Sequence, residues 1–268
     1  MSSAQTPSVS VVICSIDAAK FERVCANYRA IYAGQPLEMI GIHDARSLAE
    51  GYSRGVARAT GELLILSHDD IEILTPDFAS RVALHLVDHD LIGIAGTTRV
   101  VEGRWAGAGD PYVYTLISSP FPDAPGFGTM LLGGGPLVVP GIQALDGVFM
   151  AMRREVATRV AFDAEVFDHF HLYDLDFSLR AYLAGFRLAV CRDLVLIHAS
   201  TGRYDPVWEE YKRRFEEKHR AHLPAHWVAK EGARASLPAA TREIILRNCA
   251  PAQLCNIAAQ IERANSAL

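Results

Sequence analysis

The chain has 268 residues, enough for one large domain or two small ones with a buried core. Half of it is hydrophobic and 21% is charged, with ordinary Gly and Pro, which excludes a disordered or collagen-like chain. Lys plus Arg number 26 against 31 Asp plus Glu, so the net charge of −5 carries no global signature of nucleic-acid binding, and a bound phosphate must be held locally, by a metal or a few placed donors.

The first hundred residues alternate in type. Ser8–Ile16 is a continuous β-branched run, which predicts a strand buried on both faces. Phe21–Tyr32 reads as a helix and Leu37–Ile42 as a second strand. Ser47 and Glu50 fit a capping box, opening a helix that runs to about Thr60 with Leu48, Tyr52 and Val56 on one face. Glu62–Leu66 is a third strand, followed directly by Ser67-His68-Asp69-Asp70. Thr75 and Pro76 suit the N-cap and first position of a helix with Phe78, Val82 and Leu86 on its apolar face, and Leu91–Ala95 is a fourth strand. Strand, helix, strand, helix predicts an open, mainly parallel α/β sheet with helices on both faces. Ligands in such sheets sit at the carboxyl ends of the strands.

The middle differs. Ser118–Gly141 is rich in Gly and Pro without periodicity and reads as a long loop, either a lid or a surface excursion. Regular pattern resumes at Ala144–Met152. Asp174–Ala184 reads as a helix closed by Gly185, Phe186–Val190 and Leu194–Ile197 as short strands, and Pro206 as the start of a helix with Val207, Tyr211 and Phe215 at four-residue spacing. Helical patches at about 239–248 and 251–265 end the chain. The helix from Val207 to His222 interleaves its basic residues with Glu, which speaks for packing rather than strong membrane binding.

The five Cys are odd in number and share no CxxC spacing, against a disulfide scaffold or a zinc site. Met1–Ser8 carries no signal-peptide pattern and no apolar run approaches the ~18 residues of a membrane span, so a cytoplasmic protein is expected, with peripheral contact at the inner face of a membrane open. No GxSxG, Walker A, HExxH or GxGxxG motif occurs, which removes support for serine-hydrolase, P-loop and dinucleotide-binding readings.

Carboxylates gather where strands end. Asp69 and Asp70 follow the third strand, and hard oxygen ligands there suit Mg²⁺ or Mn²⁺ shared with substrate phosphates; a solvated turn is the plainer alternative. Asp146 and Gly147 interrupt an apolar run. Asp174 and Asp176 open a helix, where capping explains them and a general base kept ionised by the helix N-terminus is the functional alternative. His85 and His89 are spaced for a metal pair but have no third ligand nearby in sequence, and His198 ends a buried-looking strand.

Taken in order, these pieces resemble the family 2 glycosyltransferases of GT-A fold over about residues 8–204. Ser8–Asp17 is similar to their first strand, and Ser47–Asp70 to the helix, turn and strand that run into the DXD motif. Leu145–Glu155 looks like their acceptor-side segment, Phe162–Val190 like the stretch holding the Glu-Asp pair, and Ile197-His198 like the His that follows. His68 stands where the motif's first Asp would be, as in a subset often found in bacterial surface-polysaccharide pathways, and Tyr173 stands where the Glu would be.

The resemblance implies a mostly parallel mixed sheet flanked by helices in a catalytic domain over 1–204, and a helical extension over 205–268. It implies an inverting, hexosyltransferase-like enzyme that moves a sugar from a nucleotide-diphosphate donor, a UDP-sugar foremost, to a glycan or lipid-linked acceptor. Asp70 and His198 would hold Mn²⁺ or Mg²⁺, and Asp174 would be the general base. Ser15, Asp17, Asp44, Ser47 and Asp69 would bind the nucleotide-sugar; Asp146, Gly147 and Asp176 would line the acceptor side. A homodimer stays open. A nucleotidyltransferase would share the sheet but would show a Gly-rich, basic loop after the first strand, where Ser15-Ile16-Asp17-Ala18 stands. A non-catalytic scaffold of the same fold draws its support from His68.

Overall fold

The computed structural model describes residues 7–200, 202 and 204–266. The reading of residues 1–6 as a leaderless polar start, and Thr201 after His198, lie outside them.

The first strand, β1 (Val9–Cys14), shows why a continuous apolar run is needed. Successive side chains of a strand point to opposite faces. Val9, Val11 and Ile13 enter one core with Val24, Cys25 and Tyr28 of helix α1 (Ala18–Ile31). Strand β2 (Leu37–Ile42) leads to helix α2 (Leu48–Arg58), and Val12 enters the opposite core with Ile40, Ile42 and Tyr52. A Cβ at Gly55 would overlap the Val12 side chain, so glycine lets α2 lie close on the sheet despite its cost of about 1 kcal/mol in a helix. Strand β3 (Leu63–Ser67) is buried throughout and leads through the His68–Asp70 turn into β4 (Ile71–Ile73).

Helix α3 (Phe78–Asp88) begins two residues later than Thr75-Pro76 predicts. Thr75 instead bridges to the far end of the fold: its hydroxyl donates to the Asp193 carbonyl and accepts from the Val195 amide. Strands β5 (Leu91–Gly93), β6 (Ala95–Thr97) and β7 (Val113–Pro120) follow, then β8 (Phe127–Leu132) and β9 (Val138–Pro140). The segment expected to be a long loop is therefore mostly a β-hairpin, β7 against β8. The following Gly-rich turn is ordered by the buried Arg192, whose guanidinium donates to the carbonyls of Leu132, Gly133, Gly134 and Gly135.

The chain continues through β10 (Ala144–Leu145), β11 (Phe149–Arg153), α4 (Arg154–Arg159), α5 (Tyr173–Leu183), β12 (Leu188–Cys191) and β13 (Leu196–His198). The main sheet has the order β2-β1-β3-β11-β5-β12-β9, mixed in direction because β11 runs antiparallel to both of its neighbours. A second sheet runs β10-β6-β7-β13-β4, with β8 on β7.

Helix α6 (Pro206–Lys218) buries Tyr211 and Phe215 in the same core as α2 and α5, while Val207 is exposed. An unexpected strand, β14 (Arg234–Ala239), pairs with β8 and takes Ala239, read above as helical. Helices α7 (Arg242–Asn248) and α8 (Pro251–Ser266) pack Ile245, Leu254 and Ile261 against the second sheet. Among the described residues no helix is long and apolar enough to cross a membrane.

Candidate active site

Strand pairing assembles the site from distant sequence. β13 runs antiparallel to β4 with His198 opposite Ile71, which brings His198 beside Asp70 across 128 residues of chain (198 − 70). β11 pairs with β3, Phe149 opposite Ser67, and the His68 amide donates to the Val148 carbonyl, so the Asp146-Gly147 turn lies against His68. α5 then starts at Tyr173 above that turn. Its N-cap, Leu172, has φ +60°, a left-handed conformation that costs a bulky residue about 1–3 kcal/mol. The helix is thereby launched directly from the cleft wall.

His68, Asp70 and His198 present one ligand atom each, all within 4.8 Å of one another. His198 Nε2 lies 3.3 Å from Asp70 Oδ1, and His68 Nδ1 lies 3.4 Å from His198 Nε2 and 4.0 Å from Asp70 Oδ1. His68 Nε2 is 3.3 Å from the Tyr173 hydroxyl, which itself reaches the Gly147 carbonyl at 3.5 Å. With the Tyr173 proton on Gly147, the His68 Nε2 proton goes to the Tyr173 oxygen and the Nδ1 lone pair faces the cluster. Orientation of a ligating imidazole through its other nitrogen is the usual arrangement at metal sites. Burial and the neighbouring His198 push the His68 pKa down, so the ring is held neutral as a ligand must be. Burial would raise Asp70, but contacts from His198 and Ser200 outweigh it and hold the carboxyl well below the usual range. Two imidazoles and an ionised carboxylate fit a divalent transition ion.

Asp174 lies in the first turn of α5, and its Oδ2 accepts from the Gly147 amide at 2.7 Å. A Cβ at Gly147 would overlap the Tyr173 hydroxyl and crowd Asp174 Cβ, so only glycine allows this approach. Burial, with the charge of Asp146 behind it, raises the Asp174 pKa to about 7. The helix N-terminus was expected to keep it fully ionised; desolvation wins instead.

His68, His198, Tyr173, Gly147 and Asp174 line a cleft of about 510 Å³ together with Asp146, Thr115, Trp105, Tyr204 and Trp208. A second cleft, about 560 Å³, is lined by Asp70 with Asp69, Lys20, Arg23 and Arg242. Ser200 borders both.

The other predicted residues are distributed unevenly. Ser15 donates to Asp69 Oδ2 at 2.6 Å, which ties the loop after β1 to the turn after β3. Asp17 and Ser47 cap α1 and α2 through backbone amides, and Asp44 pairs with Arg54 at 2.7 Å. Asp176 is a correction. It is buried away from the cleft among Arg180, Lys218 and His219, at 2.6, 2.6 and 2.8 Å, and does not line the acceptor side. His85 does find distant neighbours, Cys191 and Asp193, but Arg81 also reaches Asp193 at 3.4 Å and supplies the positive charge there. Sequence reasoning did not place His68 in the cluster that could hold a metal, although its position two before Asp70 was visible, gave Tyr173 no role, and missed the aromatic wall.

The chain belongs to a glycosyltransferase-like family, whose model matches residues 10–222. No functionally curated protein matches it in sequence. Among solved structures it is similar to the mannosyltransferase PcManGT from Pyrobaculum calidifontis in complex with GDP-Man and Mn²⁺, at 15% identity and a TM-score of 0.51, covering 98% of this chain and 76% of that one. It is also matched to GalNAc-T7 with UDP, GalNAc and Mn²⁺, at 11% identity and a TM-score of 0.46, covering 80% of this chain and 48% of that one. The mixed sheet with flanking helices is the GT-A fold.

Proposed function

We propose that the protein is an inverting, divalent-metal-dependent glycosyltransferase of the family 2 type, using a nucleotide-diphosphate sugar. The observation that carries this reading is the His68–Asp70–His198 cluster, whose two histidines line the same cleft as the Asp174 carboxyl while Asp70 lines the cleft next to it. Residues 1–204 supply the chemistry and most of the donor site, and 205–268 is an extension that adds Arg242 to it.

His68, Asp70 and His198 would hold the ion, and two nitrogen ligands favour Mn²⁺ over Mg²⁺, which prefers oxygen. Bound there, it supplies positive charge to the diphosphate leaving group. The protein's own residues do the rest. Ser15, Asp17, Asp44, Ser47 and Asp69 would bind the nucleoside, Asp69 being the one of them that lines the second cleft, and Lys20, Arg23 and Arg242 line that cleft beside Asp70, where phosphates would lie. Asp174 takes the acceptor hydroxyl proton as that oxygen bonds to the anomeric carbon. The bond from that carbon to the diphosphate oxygen breaks, and its electron pair leaves with the nucleoside diphosphate. One displacement needs one base and inverts the configuration. The Gly147 amide holds Asp174 in place, and Asp146 lines the acceptor side of the cleft beside it.

Calorimetric titration with UDP and GDP, with and without Mn²⁺, tests the reading alongside donor turnover. Asp70→Ala is expected to weaken Mn²⁺-dependent nucleotide binding more than tenfold, roughly the 10–100-fold known for disturbed metal sites, and His68→Ala to weaken it less while removing the preference for Mn²⁺ over Mg²⁺. Nucleotide binding by the wild type that ignores metal would overturn the assignment.

A further inference from the structure

The extension left unexplained by the sequence enters the cleft. Tyr204 and Trp208, at the start of α6, face Trp105 from the turn after β6 and Phe170 from the loop before α5. Trp105 and Trp208 are anchored by packing on the main core, and the Trp208 ring meets Tyr204 edge-on at 4.8 Å. Tyr204 and Phe170 keep 64% and 45% of their surface exposed, which is a poor use of aromatic area unless something covers it. Aromatic side chains from three separate segments thus border one small-molecule-sized cleft, and the same cleft carries Arg104, Asp146 and Asp174. Thr115 is a second, independent sign. Its residue is fully buried and lines this cleft, and its Oγ1 has no hydrogen-bond partner among the described residues. A buried hydroxyl left unpaired costs about 1–3 kcal/mol and is normally satisfied by a ligand or water.

Flat apolar faces interspersed with charged and hydroxyl groups fit one chemistry. A pyranose ring has polarised C–H faces that suit the negative face of an aromatic ring, and an equatorial belt of hydroxyls that suits carboxylates, guanidinium and threonine. A lipid chain would desolvate Arg104 and Asp146 and leave the Thr115 hydroxyl unpaired. We infer that the aromatic wall of Trp105, Tyr204 and Trp208, with Thr115, is an acceptor subsite for a hexopyranose, so that the acceptor is a saccharide and the first helix of the extension helps to select it. This rests on the transferase reading, since it places the saccharide hydroxyl beside Asp174.

The test uses the full chain with Mn²⁺ and UDP present. Two of the three tryptophans, Trp105 and Trp208, line the cleft, while Trp227 lies elsewhere and meets Tyr112 edge-on. Intrinsic fluorescence is titrated with methyl glycosides of glucose, galactose, mannose and N-acetylglucosamine, and with farnesyl phosphate as the lipid probe. At least one glycoside is expected to quench saturably. That binding should weaken about tenfold in Trp208→Ala and in Thr115→Val, and stay within about threefold in Trp208→Phe, which keeps a stacking face. UDP binding should be unchanged in all three variants, which also certifies that they fold. No saturable response to any glycoside, a response to farnesyl phosphate alone, or unchanged glycoside binding in Trp208→Ala would each overturn the subsite. Loss of Mn²⁺-dependent UDP binding in the wild type would instead strike the transferase reading, so the two failures are distinguishable.

Discussion

Asp174 sits against Asp146 with an oxygen on the Gly147 amide, and burial raises its pKa to about 7. A general base works best with a pKa near the working pH, so transfer should rise with pH through about 7 and level above it. The same shift has a stability consequence. A carboxyl with a raised folded-state pKa favours folding most below its unfolded value near 4, and that advantage is lost as pH climbs through about 7. Asp174→Asn removes the charge and keeps the shape. It should abolish transfer, leave nucleotide binding intact, and gain stability over the wild type progressively between about pH 4 and 7, reaching on the order of 3 kcal/mol. Urea unfolding at pH 5 and 8 checks this; equal stability of the two proteins at pH 8 would remove burial as the source of the shift. Full transfer by this variant would remove Asp174 as the base.

At the scale of the element, α5 has two acidic residues that look alike in sequence and do different work. Asp174 and Asp176 are two apart, and at about 100° per residue they point to nearly opposite sides of the helix. Only Asp174 reaches the cleft. Asp176 turns inward, where Arg180 of its own helix and Lys218 and His219 at the end of α6 hold it ionised against the cost of burial. It therefore clamps the extension onto the catalytic body. Removing one partner of a buried charge network leaves the others unpaired, so Asp176→Ala should cost about 3–5 kcal/mol in chemical unfolding. Because the Asp176 carboxyl is held below its ordinary pKa, its contribution is full above about pH 4 and is lost as the pH falls further. A loss below about 1 kcal/mol, joined to a specific defect with the acceptor, would return Asp176 to the acceptor side. Helix phase made this much readable from sequence. The hairpin β7–β8 was harder, because Pro120 and the Pro- and Gly-rich turn hide two strands whose order depends on pairing with each other and with β14. The Gly-rich turn owes its shape to Arg192, some sixty residues away, and no local pattern could announce that.

Across the whole molecule, what the sequence carried best was local: the β-branched first strand, the capped helices and the acidic strand ends. The meeting of Asp70 with His198, made by the register of β13 on β4, was legible only through the family resemblance, and the placement of Trp208 in the cleft, which follows from α6 folding back on the core, was not legible at all. The net charge of −5 takes its meaning from that assembly. If the diphosphate is held through an ion on His68, Asp70 and His198, nucleotide affinity should depend strongly on the ion and weakly on ionic strength. If Lys20, Arg23 and Arg242 hold the phosphates alone, the reverse follows, since exposed charge pairs are screened within about 8–10 Å at ordinary salt. Arg242 is already engaged with Glu72, at 2.6 and 2.7 Å, which lessens what it offers an incoming phosphate. Chelation with EDTA is therefore expected to remove most UDP binding, while raising NaCl from about 50 to 200 mM with Mn²⁺ present should change the affinity by less than about tenfold, far from the 10³–10⁵ loss of a protein that binds phosphates through many basic side chains. Calorimetry under the two conditions decides the matter: binding that survives EDTA and collapses in salt would move the anchor from the strand-end carboxylate to the basic wall beside it.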